Sequence, residues 1–129
     1  MTTLMRKKPP RKTTRSDNEV DGHLEVACLM ITITAKLTAA EGKADAMQAA
    51  LLHMIAQVQA NEPGVMQYAM HSVEGQPGVF LFYEQYADDA AFATHRGTEH
   101  MKALGAALAD LSASRMEITR LNYIDGVKR

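Results

Sequence analysis

Residues 79–87 read VFLFYEQYA, and the fold turns on how this run is faced. In a strand successive side chains point to opposite sides. One face therefore carries Val79, Leu81 and Tyr83, and the other Phe80, Phe82, Glu84 and Tyr86. Both faces are largely apolar, which marks a strand covered on both sides. Glu74-Gly75-Gln76-Pro77-Gly78 precedes it and suits a hairpin loop, so Val65–Val73 is expected to pair with it antiparallel.

Working outward, residues 28–37, CLMITITAKL, alternate Ile31, Ile33, Ala35 and Leu37 with Thr32, Thr34 and Lys36, the pattern of a first strand. Between 41 and 60 the large apolar residues Met47, Leu51, Met54, Ile55 and Val58 form a helical stripe, and Pro63-Gly64 ends it. Asp88 is a good N-cap for a short helix that Arg96-Gly97 interrupts. Thr98 caps a second piece carrying Met101, Leu104, Leu108 and Leu111, and Met116, Ile118 and Leu121 mark a last strand over 115–123.

The order is βαββαβ, an α+β, ferredoxin-like unit with two helices on one face of a four-stranded antiparallel sheet. Its other face has to be covered as well. An exposed patch of Phe80, Phe82 and Tyr86 beside Met66, Tyr68 and Met70 exceeds what monomers tolerate. The reading is that an identical subunit lies on it, giving a homodimer whose two sheets meet face to face around a shared barrel-like core.

At 129 residues the chain holds one domain with a real core. Residues 1–25, with Pro9-Pro10 and little apolar surface, are read as a flexible basic tail, and 26–129 as the folded domain. Arg6, Lys7, Lys8, Arg11, Lys12 and Arg15 lie in the first fifteen residues without an acid, leaving eight basic against fifteen acidic residues, net −7, for the rest. An acidic body argues against a nucleic-acid face. No segment approaches the roughly 18–20 apolar residues of a membrane span, and neither a membrane nor a nucleic-acid partner is expected. A lone cysteine, Cys28, and nine methionines suit a reducing compartment, so a cytoplasmic location is expected. Cys28 itself has no basic neighbour to activate it and reads as structural.

The segments EGKADAM (41–47), EPGVMQY (62–68), FYEQYAD (82–88) and HRGTEHMKAL (95–104), in that order, resemble the antibiotic biosynthesis monooxygenase family over about residues 28–124. The resemblance implies a dimeric α+β barrel. Two branches share an aromatic-Glu strand end followed by His, a Ser/Thr-containing spacer and His: quinol monooxygenases, and isomerases of a phosphorylated signal molecule. The heme-degrading branch uses a pocket tryptophan and an early asparagine. Here there is no Trp, and no Asn in 28–37.

Several side chains carry the candidate chemistry. Glu84 stands on an apolar face, where a carboxyl is a general acid or base near neutral pH; the bland alternative is a solvated strand end or a pair with Arg120. His95 closes the first helical piece and His100 opens the second, so both imidazoles can reach one end of the sheet, unless each only satisfies a helix terminus. Tyr68 and His71 lie on opposite faces of their strand, and parity alone does not decide which lines a pocket. Glu84 and His95 are the catalytic candidates, with Tyr68, His71, Phe82, Tyr86 and His100 around the substrate. A zinc site of His71, His95 and His100 matches no metal spacing. No phosphate loop or dinucleotide fingerprint occurs, so no cofactor is expected.

The implied activity is a cofactor-independent monooxygenase acting on a quinol or polyphenol with dioxygen. An isomerase of a small phosphorylated hydroxyketone and a non-enzymatic binding dimer are the alternatives.

Overall fold

The computed structural model describes residues 30–129. The expectations for the basic tail and for Cys28 fall outside these residues. The described elements are β1 (Ile31–Thr38), α1 (Ala44–Asn61), β2 (Val65–Val73), β3 (Gln76–Tyr86), α2 (Asp89–Arg96), α3 (Glu99–Leu111) and β4 (Glu117–Leu121). They build one antiparallel sheet in the order β2-β3-β1-β4. This is the ferredoxin-like α+β arrangement, with the second helix in two pieces. Among the described residues no helix is long and apolar enough to cross a membrane.

Strand β1 alternates buried and half-buried residues along its whole length. Its apolar set aligns with one face of β3: Ile31 opposite Tyr86, Ile33 opposite Glu84, Ala35 opposite Phe82 and Leu37 opposite Phe80. On this face α1 contributes Met47, Leu51, Met54 and Val58, and α3 contributes Leu104 and Leu108, to a single core with Ala35, Leu37, Phe80 and Phe82. Burying each of the larger side chains among these is worth about 1.5–3 kcal/mol, so this contact determines which way the sheet faces.

That register corrects the expected facing of β3. Phe80, Phe82 and Tyr86 are buried under the chain's own helices, not held out for a second subunit. The side turned away from the helices carries Leu81, Tyr83 and Gln85 beside Thr32, Thr34 and Lys36, all half-buried. Parity misled because both faces of β3 are apolar, whereas only one face of its neighbour β1 is.

The hairpin is also tighter than expected. Val73 pairs with Gln76, so Glu74-Gly75 alone makes the turn and β3 begins three residues before Val79. Gly75 takes φ +79°, a left-handed conformation that a side chain disfavours.

Candidate active site

A cavity of about 420 Å³ lies between the sheet and the helices. Its walls are mainly apolar: Ile33, Ala35 and Leu37 of β1, Leu51 of α1, Phe82 of β3, Phe92 of α2, Met101 and Leu104 of α3, and Met116 and Ile118 around β4. Four polar side chains join them, Tyr68, Glu84, His95 and Arg96. A mostly apolar concavity with a few convergent polar groups is the ordinary form of a small-molecule site.

Glu84 is placed by the sheet register, directly opposite Tyr68 on one side and Ile33 on the other. It is buried, and the Tyr86 hydroxyl donates to its Oε1 at 2.5 Å. Burial pushes the Glu84 carboxyl above its ordinary value of 4.5, and the Tyr86 hydrogen bond opposes that push. Tyr68 and Tyr86 are themselves pushed well above 10.0, first by burial and then by the Glu84 charge, so both keep their hydroxyl protons. Arg120, the alternative partner of Glu84, instead pairs with Asp89 at 3.2 Å.

His95 arrives from the end of α2. Asp88 caps that helix by accepting from Ala91 N at 2.8 Å, as expected from its residue type. After Arg96 and Gly97 the chain restarts at Thr98, whose hydroxyl accepts from Met101 N at 3.1 Å and donates to the His95 carbonyl at 3.0 Å. The break has a geometric effect. In one continuous helix two residues five apart would point about 140° away from each other. Across the break His95 and His100 instead turn to the same partner.

That partner is Glu62, which sequence reasoning missed. Its Oε1 accepts from His95 Nδ1 at 2.9 Å, and its Oε2 accepts from His100 Nε2. Glu62 ends α1, and the EPG turn brings it here because Gly64 passes close to α2: a Cβ on Gly64 would come within 2.8 Å of the Ala91 Cβ. In the sequence Glu62 figures only as the first residue of the EPGVMQY segment, with no role of its own. The signal available was a carboxylate at a helix end in a chain with two helix-terminal histidines.

The other candidates divide. Tyr68 and Phe82 line the cavity, with ring centroids 4.7 Å apart. Tyr68 also meets the His95 ring at 5.3 Å, edge-on. Tyr86 stands one layer behind, packed against His95 at 5.2 Å and bonded to Glu84. His100 faces a separate groove between α1 and α3 and touches the site only through Glu62. His71 does not line the cavity; it is exposed on the far side of the sheet, with Nδ1 3.1 Å from the Leu81 carbonyl oxygen. His71, His95 and His100 therefore do not converge.

A family model described as antibiotic biosynthesis monooxygenase matches residues 30–107. The chain belongs to that family. The match runs from the start of β1 into α3 and takes in Glu62, Tyr68, Glu84, His95 and His100. A candidate antibiotic biosynthesis monooxygenase of Caulobacter crescentus is 30% identical, aligned over 81% of this chain and 99% of its own, with a TM-score of 0.72. A Pseudomonas aeruginosa protein is also 30% identical over 75% of this chain and 96% of its own, at a TM-score of 0.70. A family member from Bacteroides thetaiotaomicron, 23% identical over 80% of this chain and 98% of its own, shares the fold at 0.71. None of the curated proteins compared with the chain matches it.

Proposed function

We propose that the chain is a cofactor-independent monooxygenase of a small quinol or polyphenol and works as a homodimer. The observation that carries this reading is the presence, in the lining of one mainly apolar cavity, of a buried carboxyl of raised pKa and a histidine one of whose ring nitrogens is already engaged. A phenol bound there gives its proton to His95 or Glu84. The phenolate, held among Phe82, Leu104 and Met101, is electron-rich enough to reduce dioxygen directly. Oxygen adds at a ring carbon bearing hydrogen, and the hydroperoxide loses water to leave a carbonyl. In sum, a phenol and dioxygen give a quinone and water, with all four electrons drawn from the substrate. Tyr68, which keeps its proton, is the donor suited to the developing oxyanion.

Support for the homodimer is the half-buried face of Leu81 and Tyr83, which lies on the side of the sheet away from the described helices. A second chemistry, isomerisation of a phosphorylated hydroxyketone, would use the same acid and base. Arg96 favours it, as a cation among the lining residues and a natural phosphate partner.

Oxygen uptake decides between them. With 1,4-dihydroxynaphthalene as substrate, the protein is expected to consume oxygen above the rate of autoxidation, and Glu84→Gln to lower that rate by ~10²–10⁴. Uptake no faster than the protein-free control would remove the oxygenase reading.

A further inference from the structure

Among the described residues the buried polar side chains are Glu62, Glu84 and His95. The last two line the cavity, and Glu62 does not. A carboxylate taken out of water is tolerated only when its oxygens are well partnered, and here each oxygen has its own imidazole. Helix termination does not require this side chain, since the backbone N–H of Glu62 already closes α1 on the Val58 carbonyl at 3.0 Å. The packing also gives up space to bring it in, through the bare Cα of Gly64 against Ala91.

The consequence falls on His95. A carboxylate oxygen can only accept, so His95 Nδ1 carries the hydrogen, and in the neutral ring Nε2 is then the lone-pair nitrogen of an imidazole that lines the cavity. We propose that Glu62 is the positioning residue that sets the tautomer and orientation of His95, with His100 holding the second oxygen of Glu62 so that the carboxylate cannot swing away. Two side chains that do not line the cavity, Glu62 at the end of α1 and His100 in the first turn of α3, thus set which atom of His95 accepts the proton. This inference deepens the oxygenase reading and rests on it for the proton to be moved, but the tautomer is measurable without turnover.

The test uses the full chain labelled with ¹⁵N, with long-range imidazole spectra of the parent and of Glu62→Gln, His100→Ala and His100→Gln. In the parent, His95 is expected as the Nδ1–H tautomer. Glu62→Gln keeps the shape but replaces one acceptor oxygen with an NH2 donor that can face either imidazole, and is expected to turn that single tautomer into a mixture and to lower kcat for 1,4-dihydroxynaphthalene by about 10–100-fold, the usual cost of removing a partner that orients a histidine, with KM nearly unchanged. His100→Ala should show part of both effects. His100→Gln, whose amide can still donate to the carboxylate, should restore them. Should Glu62→Gln fail to fold, the two His100 variants carry the same measurement. A parent His95 protonated at Nε2, or a tautomer unmoved in Glu62→Gln and in His100→Ala, would overturn the proposal. If the tautomer shifts as expected while the parent takes up no oxygen, the positioning role stands and the oxygenase reading falls.

Discussion

The two faces of the sheet differ more than their compositions suggest. Toward the helices, Ile33, Ala35, Leu37 and Phe82 are each 1–2% exposed, and the polar groups admitted among them are bonded to one another. Away from the helices, Thr32, Thr34, Leu81, Tyr83 and Gln85 are all half-buried, and their side chains make one weak cluster in which the Gln85 amide donates to Thr32 and Tyr83 at 3.3 Å. The first face has a complete set of partners within one chain. The second carries aromatic and aliphatic area that none of the described helices covers. Strand β3 therefore walls the cavity with even-numbered residues and turns half-buried Leu81, Tyr83 and Gln85 to the other side, the face on which the proposed homodimer would rest.

Charges placed on either side should break the comparison unequally. Phe82→Asp puts an unpaired carboxylate at a site 1% exposed and removes a core ring, so a loss of about 4 kcal/mol or more is expected. Thermal unfolding will read it as a large drop in Tm or as absence of a folded state. Tyr83→Asp, one position on, should leave the folded chain intact by circular dichroism. It should also halve the sedimenting mass and abolish the rise of Tm with protein concentration expected of the parent dimer. A Tyr83→Asp protein of unchanged mass would mean that the outer face is not the interface.

Glu84 sharpens the contrast within the buried face. Its carboxyl titrates above 4.5 when folded, so the native state binds the proton more tightly than the unfolded chain. Stability from this group is present at low pH and is lost as pH rises through the window from 4.5 to the raised value. Glu84→Gln should flatten that decline, by about 1.4 kcal/mol for each unit by which the pKa is raised, as read from denaturant unfolding across pH 4 to 8. Equal slopes in parent and variant would place Glu84 in contact with water. The smallest effect is expected from Thr34→Val at the middle of the outer face, within about 0.5 kcal/mol for the isolated chain.

Much of this arrangement was legible in the residues. The alternation of β1, the apolar stripe of α1 and the caps Asp88 and Thr98 each rest on local chemistry, and each is where it was expected. Glu84 stood out as a charge on an apolar face, and it is buried. The facing of β3 was not legible from β3 itself, because Leu81 and Tyr83 are as apolar as Phe80 and Phe82. It follows only once β3 is laid beside β1, whose threonines and lysine admit one answer. His71 went astray for the same reason, being on the side opposite Tyr68. Glu62 was hidden because its role depends on two histidines 33 and 38 residues later, a contact created by chain crossing and not by any local pattern.

The interruption at Arg96-Gly97-Thr98 also behaves like a gear tooth. Deleting Arg96 or Gly97, or inserting one residue beside them, would change where α3 restarts after α2 and with it the direction in which His100 points toward Glu62. Arg96 and Gly97 make no side-chain bond to Glu62, so substitutions there leave the phase of the two helices intact. In this segment the count of residues and the Thr98 hydroxyl, which caps α3 and bonds the His95 carbonyl, are the constrained quantities, while position 96 is a place to vary the rim of the cavity.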